Sequence, residues 1–190
     1  KAPSLDRKLE RIERVLNLNK NEHYHSRKSE KEMTVKQNPT QVALVGAGYI
    51  AQWHLQAITA ISGTNVVAIV DRDLNRARSL AHGKQQINVY DNVPEMLERQ
   101  QVDVVHGLVP PEFHAEIATC CLNRGVDLFL EKPMGITASE CLEMSDAAEQ
   151  GGATIGVNHN YLFYPAYERL RGDIRSGLLG RVEQLSIVWN

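Results

Sequence analysis

The sequence predicts a doubly wound α/β domain, a parallel sheet with helices on both faces, over residues 41–160 of its 190. Three observations predict it. Short β-branched runs alternate with stretches of helical periodicity. Several of those runs are apolar throughout rather than at every second position, as strands buried on both faces are. Glycine, proline, Asn and Asp punctuate the joins.

The elements follow in order. QVALVG (41–46) is the first buried strand, and a helix runs from it towards Ile61, with Trp53, Ala57 and Ile61 four apart. NVVAIVD (65–71) is the second strand and Leu74 to His82 the second helix. INVY (87–90), a short helix from Pro94, VDVVHGLV (102–109), a helix from Glu112 to Arg124 and VDLFLEK (126–132) come next. Pro133 and Gly135 break the chain before a helix from Thr137 to Gln150, and ATIGVN (153–158) closes the series. Right-handed crossovers then distribute the helices over both faces. Beyond it, a helix is predicted over 163–176 from near Pro165, and RVEQLSIVWN (181–190) reads as a strand. A lone strand is an unpaired edge, so the expectation is a chain that stops where a second domain begins. The division is therefore 1–40, 41–160 and 161–190.

Composition narrows the function classes. With 43% hydrophobic and 23% charged residues the chain is ordinary globular protein, and a net charge of −2 gives no general attraction to nucleic acid or membrane. No apolar run approaches the ~20 residues that span a bilayer. The charged start carries no apolar signal core, and Lys1 in place of Met suggests a processed or cut beginning. Cys120, Cys121 and Cys141 form no C-x-x-C pair, so they are expected to be buried thiols rather than metal ligands, in a cytoplasmic setting. Residues 1–40 hold ten Lys/Arg and six Asp/Glu, and the other 150 hold eleven and seventeen. Leu5, Leu9, Ile12, Val15 and Leu16 give Ser4 to Asn19 a helical pattern, followed by a polar stretch to Asn38. A solvated tail is the preferred reading and a docking helix the alternative.

The strongest chemical feature is Val45-Gly46-Ala47-Gly48-Tyr49-Ile50-Ala51, where the first strand turns into the first helix. G-x-G-x-x-A is a tolerated form of the dinucleotide-binding, or Rossmann, fingerprint. Gly46 permits the turn, Gly48 lets backbone approach a diphosphate, and Ala51 lets helix and strand pack closely. The amides of Tyr49 and Ile50 belong to the helix N-terminus that such an anion favours. Asp71 ends the second strand, where a carboxylate accepts hydrogen bonds from the adenosine ribose and repels a 2′-phosphate. That points to NAD ahead of NADP. Arg72 pulls the other way, since a guanidinium stacks on adenine or pairs with that phosphate. FAD and S-adenosylmethionine chemistry share the glycine turn but have no further feature here.

Ligands of such sheets sit beyond the carboxyl ends of the strands. Three segments end there: Leu108-Val109-Pro110-Pro111-Glu112-Phe113-His114, Leu130-Glu131-Lys132-Pro133 and Val157-Asn158-His159-Asn160-Tyr161. A lysine in that position, beside a carboxylate, polarises a carbonyl or shares a proton with a hydroxyl. Val109 and Pro110 border the same crevice. A non-catalytic dinucleotide-binding module remains the alternative to an enzyme.

Residues 41–190 resemble the glucose–fructose oxidoreductase, inositol dehydrogenase and MocA family of nicotinamide-dependent oxidoreductases. The matching pieces are GAGYIA followed by His54, VDRD (70–73), PPEFHAEIA (110–118), GVDLFLEKPMGITASE (125–140), GVNHNYLFYPAYERL (156–170) and SGLLGRVEQLSIVW (176–189). The resemblance implies hydride transfer between a nicotinamide and a secondary hydroxyl of a sugar, cyclitol or nucleotide-sugar. It implies Lys132 as the catalytic group beside the reacting carbon and Glu131 as a cofactor contact. It implies Pro133 after a cis bond, and His114 near the cofactor, where a packing role is equally open. His159 and Tyr161 are candidate substrate contacts, while His54, His82 and His106 are assigned to structure. The family continues into a mostly antiparallel α+β domain that lines the substrate pocket and builds a homo-oligomer. Many relatives carry an arginine where Leu162 precedes Phe163 here, which leaves the substrate open.

Overall fold

The computed structural model describes residues 38–186. Within them six strands form one parallel sheet: β1 (Thr40–Val45), β2 (Thr64–Val70), β3 (Asn88–Tyr90), β4 (Val104–Gly107), β5 (Asp127–Leu130) and β6 (Ile155–Val157). Their order across the sheet is β3-β2-β1-β4-β5-β6, so the direction of winding reverses between β1 and β4. A crevice opens at that reversal beyond the carboxyl ends of the strands.

Alternation along β1 assigns the two faces. Ala43 and Val45 point into a core with Val105, Leu128 and Leu130, covered by α3 (Val93–Arg99), α4 (His114–Leu122) and α5 (Ala138–Gly151). Val42 and Leu44 point into the opposite core, covered by α1 (Ala51–Thr59) and α2 (Leu74–Ala81) through Leu55, Ile58 and Ala77. The β1–β2 register shifts once: Val42 faces Val66, but Ala43 faces Ala68. Val67 is the extra residue, and with Ala68 it lies on one face. This bulge keeps Ile69 and Val70 in step with Leu44 and Val45.

The helix starts follow local chemistry. Asp73 caps α2 by accepting from the Asn75 N–H at 2.9 Å, and Asn92 caps α3 by accepting from Glu95 at 2.8 Å. Thr137 accepts from the Glu140 N–H while the Glu140 carboxylate reaches back to the Ile136 N–H at 2.8 Å, a close relative of the capping box. Gly151 ends α5 against α4, where an added Cβ would overlap the Leu122 carbonyl. Cys121 is wholly buried in that seam, and burial, reinforced by Cys120, pushes its thiol up to about 12, so it is an inert packing group. The three cysteines are free thiols.

Some limits differ from the sequence reading. The helix expected from Glu112 begins with a 3-10 turn, Pro111–Phe113, in which the Phe113 and His114 N–H groups donate to the Pro110 and Pro111 carbonyls. Helix α1 stops at Thr59 rather than Ile61. A 3-10 turn at Asn160–Phe163 precedes α6 (Pro165–Arg175). The strand expected over 181–190 is absent from residues 181–186, which have no strand to pair with among the described residues, and 187–190 lie outside them. The helix expected over Ser4 to Asn19 also lies outside them. Among the described residues no helix is long and apolar enough to cross a membrane.

Candidate functional site

The glycine turn is built against the next strands. Gly46 holds φ +100°, and a Cβ there would lie 2.7 Å from the Leu108 carbonyl oxygen, so the turn from β1 fits against the end of β4 only without a side chain. Gly48 is different: nothing lies within 4 Å of where its Cβ would be. The space is open on the side from which a ligand approaches. Among the described residues the amides of Gly48, Tyr49 and Ile50 donate to no protein acceptor, at the N-terminus of α1. These free N–H groups and the empty volume over Gly48 fit an incoming diphosphate.

Asp71 braces this turn. Its Oδ2 accepts the Ala47 N–H at 2.7 Å and its Oδ1 the Asp73 N–H at 2.8 Å. Each carboxylate oxygen has a second lone pair, so acceptor capacity for ribose hydroxyls remains. A cavity of about 410 Å³ brings together Gly46, Asp71, Arg72, Val109 and Pro110, with Phe113 and Ile117 on its apolar side. Its size and largely apolar walls suit a purine. Tyr49, with Gly48, borders a shallower hollow between α1 and α2 instead, and Ile50 packs against the α1 core.

A separate hollow of about 370 Å³ brings Lys132 together with His159 and Tyr161, alongside Pro133, Asn160 and Leu162. The Lys132–Pro133 peptide is cis. Lys132 is exposed, and among the described residues its ammonium has no hydrogen-bond or ion-pair partner. It therefore has donors to spare for a substrate oxygen.

His114 does not face the crevice. It is completely buried, with Nε2 3.0 Å from the Val109 carbonyl and Nδ1 3.0 and 3.1 Å from those of Pro133 and Met134. The expected cofactor contact is replaced by a packing role. The ring ties the loop after β4 to the segment after Lys132, and no nitrogen is left for a ligand.

Glu131 is likewise drawn inward. Its Oε1 accepts from the Asn158 side-chain amide at 2.6 Å and lies 3.1 Å from His54 Nε2. A carboxylate only accepts, so His54 Nε2 donates. His54 Nδ1 lies 3.0 Å from His106 Nδ1, close enough for one ring to donate to the other. A chain of contacts, His106–His54–Glu131, thus runs beneath the carboxyl end of β5, with Phe129 against both imidazoles. Burial, followed by the neighbouring His54, lowers the His106 pKa to about 4. Sequence reading placed His54 and His106 among structural residues and passed over Asn158. The signal was register: Val157 pairs with Leu130, so the residues that follow, Asn158 and Glu131, emerge side by side. His82 is exposed and takes no part. Among the described residues no group of three or more His, Cys, Asp or Glu side chains has metal-holding geometry.

A pH effect follows. As pH falls below 6.5 the unfolded chain protonates His106, while the native chain does so only near 4. Stability due to this group is thus complete above 6.5 and lost as pH drops to about 4, by on the order of 3 kcal/mol. Urea unfolding across that range should show the unmodified protein losing that much more than His106→Leu. Parallel profiles would exclude it.

Comparison with known proteins agrees with this fold. The family described as "Oxidoreductase family, NAD-binding Rossmann fold" matches residues 40–159. The rhizopine catabolism protein MocA of Rhizobium meliloti is 32% identical over 146 residues, 77% of this chain and 45% of that protein. D-glucoside 3-dehydrogenase of Escherichia coli is 30% identical over 146 residues, covering 76% and 42%. The crystal structure of a dehydrogenase from Chromobacterium violaceum superposes with a TM-score of 0.69 at 33% identity, over 73% of this chain and 41% of that one. The chain thus spans less than half the length of these relatives. Through its glycine turn, its strand order and its Glu-Lys-Pro edge, it belongs to the glucose–fructose oxidoreductase, inositol dehydrogenase and MocA family of oxidoreductases.

Proposed function

We propose that this chain is the dinucleotide-binding part of an NAD-dependent dehydrogenase that acts on a secondary hydroxyl of a sugar, cyclitol or nucleotide-sugar. The observation that carries it is the pairing, at the carboxyl ends of the strands, of a glycine turn whose amides are free among the described residues and a lysine without a partner among them, in a neighbouring hollow. The family match and the D-glucoside 3-dehydrogenase relative support the substrate class.

The bound nicotinamide would supply the hydride acceptor or donor at its C4. The chain's own residues do the rest. The amides of Gly48, Tyr49 and Ile50 hold the diphosphate, Asp71 accepts from the ribose, and Val109, Pro110 and Phe113 wall the adenine. Lys132 Nζ stabilises charge on the reacting oxygen and carries its proton. Glu131, clamped by His54 and Asn158, keeps the segment leading to Lys132 in place and retains Oε2 for the cofactor side. His159 and Tyr161 border the substrate in the Lys132 hollow.

Residues 161–190 would begin a second domain, mostly antiparallel, that completes the substrate pocket and a homo-oligomer. The exposure of Phe163 (74%) and Leu178 (73%) supports further packing there. The free thiols suit a reducing, cytoplasmic setting.

Calorimetric titration tests the cofactor assignment. NAD should bind more tightly than NADP, and Asp71→Asn should weaken NAD about 10- to 100-fold, the range for losing a hydrogen bond to a charged acceptor. Equal affinities for the two cofactors in the unmodified protein would remove Asp71 as the discriminating group. No binding of either would remove the reading.

A further inference from the structure

The Arg72 guanidinium does not lie free at the ribose edge. Its Cζ sits 4.2 Å from the centroid of the Phe113 ring, a cation–π contact that crosses the crevice from the end of β2 to the 3-10 turn after β4. Both residues line the apolar cavity assigned to adenine, next to Asp71. Asp71 is fixed by two backbone amides, so its carboxylate is unable to swing aside for an anion. The second arginine of this edge, Arg76, borders both that cavity and the hollow over Gly48, and it is paired with Asp73 at 3.6 Å. Two guanidinium groups therefore line the cavity that Asp71 also lines, each engaged by a side chain of the protein. The Arg76 pair is exposed and weak. The Arg72 contact is the one that holds a cation over an aromatic ring.

We propose that Phe113 is a positioning residue for cofactor preference: by holding Arg72 over its ring, it keeps the guanidinium from a phosphate on the ribose and leaves Asp71 to decide for NAD. The proposal rests on the dinucleotide reading and adds to it a residue that touches neither phosphate nor ribose. It also resolves the opposed signals of Asp71 and Arg72 in the sequence. Their neighbour in space is an aromatic residue from a distant loop.

Dissociation constants for NAD and NADP, measured by calorimetry on the full-length protein, test it. Phe113→Leu keeps apolar bulk and loses the ring face. It should shift the ratio of the two constants towards NADP by about 2- to 5-fold, the range for an exposed cation–π contact. Phe113→Trp retains an aromatic face and should keep the original ratio. In an Arg72→Ala background, Phe113→Leu should leave the ratio unchanged. If Phe113→Leu weakens both cofactors by one factor, or shifts the ratio without Arg72, Phe113 is only a wall of the cavity and the proposal is overturned. Failure of the unmodified protein to bind either cofactor overturns the dinucleotide reading itself, and this proposal with it.

Discussion

Lys132→Ala in the full-length protein is expected to lower kcat by about 10³-fold or more while leaving the NAD dissociation constant within about threefold. The two effects separate because the groups are separate. The cavity suited to adenine is lined from β1, β2, β4 and the segments that follow them, and Lys132 is not among its residues. Lys132 lies in the other hollow, at the end of β5, with His159 and Tyr161. Its ammonium has no protein partner among the described residues, so removing it leaves no buried group unsatisfied and should cost little stability. What is lost is a donor to the reacting oxygen. Lys132→Arg should not restore turnover, because a guanidinium keeps its proton and its planar fork points differently from a single ammonium. Near-normal kcat in Lys132→Ala would move the chemistry elsewhere, with His159 the next residue to test.

The sequence carried the site unevenly, and the division has a physical cause. Local signals were legible. The buried runs gave the strands within about two residues, and the glycine turn, Asp71 and Lys132 all follow directly from strand ends. Each depends on neighbours within a few positions. What was not legible depends on strand order. His54, on α1, meets His106 of β4 and Glu131 at the end of β5 only because β4 and β5 follow β1 in the sheet order, and Asn158 meets Glu131 only because β6 pairs with β5. Arg72 and Phe113 meet because β2 and β4 flank β1. The extra residue at Val67 was hidden for the opposite reason. In a run as uniformly apolar as NVVAIV, no change of pattern marks the point where one residue drops out of register. His114 was open between two roles until its surroundings supplied three carbonyls for two nitrogens.

The same contrast between local and assembled requirements gives opposite outcomes for two glycines in one turn. Gly46→Ala places a Cβ at φ +100° and 2.7 Å from the Leu108 carbonyl oxygen, which belongs to backbone at the end of β4 and cannot rotate away. Strain at a positive φ together with overpacking is expected to cost about 2–5 kcal/mol. Melting should fall by at least several degrees, at about 2–4 °C per kcal/mol for a domain of this size. Cofactor binding should fail with it, since the amides after Gly46 are aimed by that turn. Gly48→Val has no such clash. The added side chain enters space that holds no protein atom within 4 Å of its Cβ, and Gly48 has no positive φ to protect. Its melting temperature should stay within about 2 °C of the original, while NAD affinity falls at least about tenfold because the side chain fills the diphosphate's approach to the amides. Thermal melts with and without NAD read both effects at once. Stabilisation by saturating ligand scales with RT ln(1 + [L]/Kd), so Gly48→Val should melt normally alone and gain little from NAD. Should Gly48→Val retain the full ligand-induced shift, the space over Gly48 is not where the diphosphate lies. The free amides of α1 would then need another explanation.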